Sequence, residues 1–269
     1  MGTGCDTILA QMAADCLDTD MKNIVVFSVD TDISPYDSGS YASSTTYATG
    51  NAVIQACGEL RKRIHAFGAQ MLGVSAEDSD FDGEKVRTED GKEVTLQQIA
   101  GKATCGVCSE LQVVKEYSSP ISPPPFMVGA AEVEVDEETG QIDVIDYVGV
   151  IDCGTPINPN LARVQAEGGI VQGIGMALSE DITYSDEGKM RNRNFLQYKL
   201  PTRVDVPSVR VEFESSYEDN GPFGAKSIGE VVINTPTSAI ASAIKHATGV
   251  QVRTLPITAE IVLLGKEDE

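Results

Sequence analysis

Histidine is almost missing from this sequence: His65 and His246 are the only two among 269 residues. Each falls on a stretch of helical pattern with no Cys, Asp or Glu partner at ligand spacing, so no metal site is expected from them. Basic residues are also few, 20 Lys and Arg against 41 Asp and Glu, for a formal net charge of −21. Nucleic-acid binding depends on neutralising phosphates with Lys and Arg, so nucleic acid is excluded as a partner. No run reaches the roughly 18 apolar residues that a membrane-spanning helix needs, which excludes a transmembrane segment. The first residues, MGTGCDTILAQMAADCLD, lack a basic leader and a small-residue cleavage site. They do not read as a signal peptide, and the expected compartment is the cytoplasm.

Six cysteines, at 5, 16, 57, 105, 108 and 153, are too sparse for a disulfide scaffold and fit reduced thiols. Cys105 and Cys108 form the one close pair. Without a second CxxC it falls short of the roughly four thiolates of an Fe–S cluster, and loop cysteines are the simpler reading. No GxSxG elbow supports a serine hydrolase. Gly2-Thr3-Gly4 is not a dinucleotide fingerprint, because it lacks a preceding strand and a third glycine.

What is present is an ordinary folded composition, 41% hydrophobic and 23% charged, in one large or two medium domains. Residues 4–18 carry apolar positions at helical spacing, with Asp6 near the positive end of the helix dipole. Asn23 to Val29 is an apolar, β-branched run that predicts a strand. A helix is predicted over about 51–71, with Val53, Ile54, Cys57, Leu60, Ile64 and Phe67 on its buried stripe and Arg61, Lys62 and Arg63 toward solvent. Asp82-Gly83 and Asp90-Gly91 suit tight turns between small surface strands. Ser118 to Pro125, with four prolines, predicts an extended connector and an internal boundary. Beyond it, 130–135 and 142–151 flank a Gly-containing turn as a long hairpin.

Asn158-Pro159 offers an N-cap and a first-turn proline for a helix to about Leu178, with Gln165 and Gln172 on one face. Gly168, Gly169, Gly173 and Gly175 inside it imply close approach of another backbone or a ligand, since each costs up to about 1 kcal/mol relative to alanine. Thr235-Pro236 opens a last helix, which Ile240 and Ile244 face inward and Gly249 closes.

Three polar, glycine-rich segments stand out: Gly2-Thr3-Gly4, Gly39 to Thr46, and Gly221 to Glu230. Backbone N–H groups at helix starts, with small hydroxyl side chains, suit an anionic ligand carrying phosphate, though plain loops remain the alternative. Glu230 precedes the apolar Val231-Val232-Ile233, so a partly desolvated carboxyl with base character near neutral pH is expected there.

In order along the chain, GTGCDT, DTDISPYDSGSYASSTTYATGNAV, SPPPF, VEVDEETGQIDV, DCGTPINPNLARVQAEGGIVQGIGMAL, GPFGAKSIGE and LPITAE resemble the C-terminal half of the molybdenum-binding subunit of the xanthine dehydrogenase and aldehyde oxidase family. The resemblance covers nearly the whole chain, and GAKSIGE is its most specific segment. It implies an α+β class, a mixed αβ two-domain fold that binds the molybdenum cofactor. The expected division is residues 1–119 as a first subdomain and 120–269 as a second that carries the catalytic glutamate loop.

By that resemblance Glu230 is the catalytic base, taking a proton from a hydroxyl on molybdenum while hydride passes to a sulfido or selenido ligand. Gly2, Thr3, Gly4, Ala42, Ser43, Thr45 and Gln165 match positions that hold the molybdopterin cofactor, whose cytosine dinucleotide form stays open. Many relatives have glutamine at the place of Thr3. Gly224, Ala225 and Lys226 shape the loop that bears Glu230. No protein side chain is expected to ligate the metal.

The family's first half, with its FGGK-type motif, a glutamine near the metal and much of the substrate pocket, has no counterpart here. The chain therefore looks like one half of a split subunit, resembling bacterial nicotinate dehydrogenase most. The implied partners are a large molybdopterin subunit, a 2Fe-2S subunit and an FAD subunit. The implied reaction is hydroxylation of an aromatic N-heterocycle, nicotinate-like or a purine, with water as oxygen source. An aldehyde-oxidising member and a noncatalytic cofactor scaffold are the alternatives.

Overall fold

The computed structural model describes residues 2–28, 30–105 and 111–265. The chain divides into two compact units, Met1–Ser122 with Glu218–Ala225, and Pro123–Tyr217 with Lys226–Glu269. The first break lies three residues beyond the expected one at 119/120. The short return of 218–225 to the first unit was not expected.

In the first unit, helix α1 (Cys5–Leu17) starts from Gly4 and helix α2 (Gly50–Leu72) ends at Gly73, both glycines in the left-handed region. A meander of β1 (Ser79–Phe81), β2 (Lys85–Thr88) and β3 (Glu93–Thr95) follows, all antiparallel. Its turns fall at Gly83 and Gly91, both at positive φ, where tight turns favour glycine. Helix α3 (Leu96–Cys105) comes next. The meander packs on α2 around Ile64, Phe81, Val86, Val94 and Ile99. Gly68 of α2 lets them meet, since a Cβ there would come within 2.9 Å of Ile99 Cδ1.

Two expectations fail in this unit. Asn23 to Ser28 is not a strand: Met21–Asn23 is a 3-10 turn and residues 24–28 are irregular, while Val29 lies outside the described residues. Val25 and Phe27 are 89% and 64% exposed, so the run has composition for a strand but no neighbour to pair with among the described residues. Arg61 does not simply face solvent. Its guanidinium lies 5.2 Å from the Phe81 ring centroid and donates to the Phe81 carbonyl oxygen at 2.9 Å. The Cys105–Cys108 pair lies outside the described residues, apart from the backbone of Cys105.

The second unit holds a sheet ordered β4 (Phe126–Val135), β5 (Ile142–Asp152), β6 (Ser208–Phe213). β4 and β5 form the antiparallel hairpin, while β6 joins β5 in parallel after α4 (Pro159–Leu178). A register shift between Glu132 and Val133 leaves Ile145 without a partner, a bulge that changes which residues of β5 face inward. Val144, Tyr147, Gly149 and Ile151 are consequently the buried ones.

Helices α4 and α5 (Pro236–Thr248) contribute Ile170, Ile174, Ile240 and Ile244 to the same core. Burying each of these side chains stabilises by about 1.5–3 kcal/mol. Asn158 caps α4, its Oδ1 accepting from Leu161 N–H at 3.1 Å. α6 (Ala259–Leu264) closes the described chain. The glycines of α4 do admit close neighbours, but these are side chains. A Cβ on Gly169 would collide with Val232, and one on Gly173 would lie 2.7 Å from Pro236 Cγ, whereas Gly168 faces open space.

Candidate functional site

The first unit places Gly2, Thr3 and Gly4 at the start of α1, with Gly2 and Gly4 left-handed at φ 77° and 80°. This leaves the first-turn N–H groups of α1 at its open end. Asp6 sits in that turn and accepts from the Ser28 hydroxyl at 3.2 Å.

Ahead of α2, Ala42 and Ser43 are consecutive non-glycine residues at φ 51° and 55°. Each such position costs on the order of 1–3 kcal/mol, and strain of this kind collects at ligand sites. The Thr45 hydroxyl is paired with that of Ser40. A π-helical turn over Thr45–Thr49 then runs into α2. Inside that turn the Tyr47 hydroxyl is buried, and burial pushes its phenol above the usual value, while the neighbouring Ser119 side chain opposes the shift.

The expected loop residues Gly224 and Ala225 belong to this unit too, in the turn after Pro222. All three glycine-rich segments are tied together at Gly50, where a Cβ would lie 2.9 Å from Met12 Sδ of α1 and 3.0 Å from Pro222 Cγ. Asn51 donates to the Asn220 carbonyl oxygen at 3.2 Å, closing the same junction.

In the second unit Gln165 is half-buried on α4, one turn before Gly169 and on the same face. Val232 packs against Gly169, so Gln165 lies on the side of α4 that meets the Val231–Ile233 turn. Glu230 is the residue before that turn. Its side chain is exposed, contrary to the desolvation expected from its apolar neighbours. The reason is geometric: Val231 and Val232 turn inward at 9% and 0% exposure, and Glu230 stays on the outside.

Lys226 is fixed more firmly than its sequence context implied. Its ammonium donates to Asp152 Oδ2 at 2.7 Å, and its backbone N–H donates to the Cys153 carbonyl oxygen at 2.8 Å. Asp152 also accepts from the Ser216 hydroxyl and from Gly154 N–H. Burial opposes ionisation of Asp152, but these bonds outweigh it and hold the carboxyl below its ordinary range. Sequence reasoning missed both Asp152 and Tyr47. Only the acidic residue at the inner end of a buried strand hinted at the first.

The residues fit a pterin cofactor in kind. Strained backbone at 42–43, hydroxyls at Ser40, Ser43, Ser44 and Thr45, and the buried phenol of Tyr47 offer the first unit's polar groups to a ligand. Among the described residues no group of three or more His, Cys, Asp or Glu could hold a metal ion.

A molybdopterin cofactor-binding domain model matches residues 1–207. The chain is 37% identical over 269 residues to the probable hypoxanthine oxidase XdhD of Escherichia coli K12, covering 99% of this chain and 28% of that protein. CO dehydrogenase from Oligotropha carboxidovorans superposes with a TM-score of 0.85 at 25% identity, over 99% of this chain and 34% of that one. Quinoline 2-oxidoreductase from Pseudomonas putida 86 gives 0.83 at 28% identity, over 100% and 36%. The chain thus spans about a third of the length of these proteins. It belongs to the xanthine dehydrogenase and aldehyde oxidase family, as a partial chain of the molybdopterin-binding subunit.

Proposed function

We propose that this chain is part of a molybdenum hydroxylase that oxidises an electron-poor carbon of an aromatic N-heterocycle, with Glu230 as its base. The observation that carries this reading is Glu230 itself: an accessible carboxylate at the end of GPFGAKSIGE, in a chain of the molybdopterin-binding family. Two of the three proteins compared are named for N-heterocycles, hypoxanthine and quinoline, and the third for carbon monoxide. A nicotinate-like pyridine or a purine is the substrate class proposed.

When bound, the cofactor supplies the redox centre and the oxygen-transfer chemistry. The chain's own residues do the holding and the proton work. Gly2, Thr3 and Gly4 present backbone donors at the start of α1. Ala42, Ser43 and Thr45 add backbone and hydroxyl donors before α2, and Gln165 adds a side-chain amide. Glu230 accepts a proton at its carboxylate, and Gly224, Ala225 and Lys226 shape the chain leading to it. The remainder of the molybdenum subunit, a 2Fe-2S subunit and an FAD subunit are the partners proposed.

The test is Glu230→Gln in the assembled enzyme purified through this chain, assayed with nicotinate, purines and an aldehyde. Loss of a general base is expected to lower turnover by roughly 10²-fold or more, with bound molybdenum and co-purifying chains unchanged. Undiminished turnover would overturn the role of Glu230. Turnover of the aldehyde alone would overturn the substrate class.

A further inference from the structure

We propose that Asp152 is a positioning residue for Glu230, acting through Lys226. The proposal rests on the reading of Glu230 as base, and its geometry lies wholly in the second unit. The segment from Lys226 to Val232 is held at both ends. At its start, the last residue of β5 and the one after it grip one lysine: Asp152 takes the ammonium at 2.7 Å and the Cys153 carbonyl oxygen takes the backbone N–H at 2.8 Å. The ammonium also lies 5.4 Å from the Phe126 ring centroid on β4, within the range of a cation–π contact.

At the far end Val232 is fully buried against Gly169 of α4, and Ile233 N–H returns to the Glu230 carbonyl oxygen at 3.3 Å. Glu230 therefore hangs on three residues of chain, 227–229, strung between a strand and a helix. The far anchor is apolar and cannot fix the strand end. The near anchor is ionic, and the Lys226 and Asp152 side chains are only 12% and 22% exposed, so water screens it weakly. Asp152 is itself oriented by Ser216 and by Gly154 N–H, so the lysine meets an acceptor of fixed direction. Loss of the near anchor lets the segment that carries the base shift, and small misplacement of a reacting group is costly.

The experiment compares the assembled enzyme with its Asp152→Asn, Lys226→Met and Lys226→Arg forms, reading hydrogen–deuterium exchange by mass spectrometry together with kcat and KM. Asp146→Asn, which breaks the pair between Asp146 of β5 and Arg210 of β6, controls for damage to β5. In Asp152→Asn and Lys226→Met, amide exchange over 226–233 is expected to rise roughly 10-fold or more, with β4 and α4 unchanged. In the same variants kcat is expected to fall by about 10- to 100-fold with KM little changed. Lys226→Arg should recover most of both, and Asp146→Asn should leave exchange over 226–233 as it was.

Unchanged exchange over 226–233 overturns the proposal. So does loosening spread equally over β4, β5 and α4, which would make the pair a general structural bond. Should Asp152→Asn fail to fold, Lys226→Met, which keeps β5 intact, decides alone. Glu230→Gln separates the two readings. If it abolishes turnover while the loosened Lys226→Met form keeps full kcat, the positioning role is wrong. If Glu230→Gln is fully active, the base reading is wrong and the positioning role with it, while exchange still reports whether the anchor exists.

Discussion

Gly169 and Val232 share one space: a Cβ built on Gly169 of α4 would overlap the Val232 Cγ2 methyl, two residues after Glu230. Alanine is ordinarily the better helix residue by up to about 1 kcal/mol, so the sign of a substitution depends on the neighbour. For Gly169→Ala the overlap dominates, and a loss of about 1–3 kcal/mol is expected. Gly168→Ala faces nothing within 4 Å and should gain about 0.5–1 kcal/mol. Urea unfolding midpoints at constant m-value measure both. A Gly169→Ala protein as stable as the parent would mean that Val232 is not packed there.

The carboxyl of Asp152 is depressed in the folded chain, so its contribution to stability is full above the ordinary aspartate value of about 3.9 and is lost as pH falls through the lower folded value. Asp82, Glu93, Asp136, Asp146 and Asp205 are shifted the same way, and Asp90 is lowered to about 2. At pH 7 Asp152→Asn is expected to cost about 1.5–3 kcal/mol, the range for a charge-assisted hydrogen bond. The gap between parent and variant should stay level from pH 7 to about 5 and narrow on acidification below about 4. Unfolding midpoints across that series check the sign. A gap that widened in acid would contradict it.

Val25 and Phe27 lie on the irregular stretch where a strand was expected, and both are largely exposed. Replacing either by serine removes little buried surface, so stability should move by less than about 0.5 kcal/mol. Binding of a hydrophobic dye to the isolated chain should fall in the double variant, because exposed apolar surface is what such a dye reports. A large destabilisation would show that these side chains are packed.

The contrast between what the sequence disclosed and what it concealed follows the range of each interaction. α4 and α5 were legible because Asn158-Pro159, Thr235-Pro236 and Gly249 carry their boundaries locally. The β4–β5 hairpin was legible from its turn, where Gly140 takes positive φ. Residues 24–28 were misread because a strand needs a partner, which composition cannot supply. The parallel seat of β6 on β5 and the return of 218–225 to the first unit depend on contacts far apart in sequence.

The candidate site divides in the same way. Gly2, Gly4, Ala42 and Ser43 sit in left-handed backbone ahead of α1 and α2, in segments that the sequence marked as polar and glycine-rich before helices. The exposure of Glu230 and the grip of Asp152 on Lys226, 74 residues away, were invisible until the chain was folded.

Burial separates the cysteines into two groups that a thiol reagent can tell apart. Burial, and then the neighbouring Cys16, pushes the Cys57 thiol up to about 11, while burial and then the Asp152 charge push Cys153 up to about 11. Both side chains are buried, whereas Cys5 is partly accessible. The thiolate is the reactive form, so at pH 8 a rise from the usual value of about 8.5 lowers the reactive fraction by roughly 10²-fold or more. Alkylation of the native chain, followed by peptide mapping, should therefore label the accessible Cys5 ahead of Cys57 and Cys153. In denaturant the three rates should converge. Loosening the pair at Lys226 gives a further handle: Lys226→Met removes a cation that lowers the Cys153 thiol, so any faster labelling of Cys153 in that variant would come from opening of the strand end and not from a more acidic thiol.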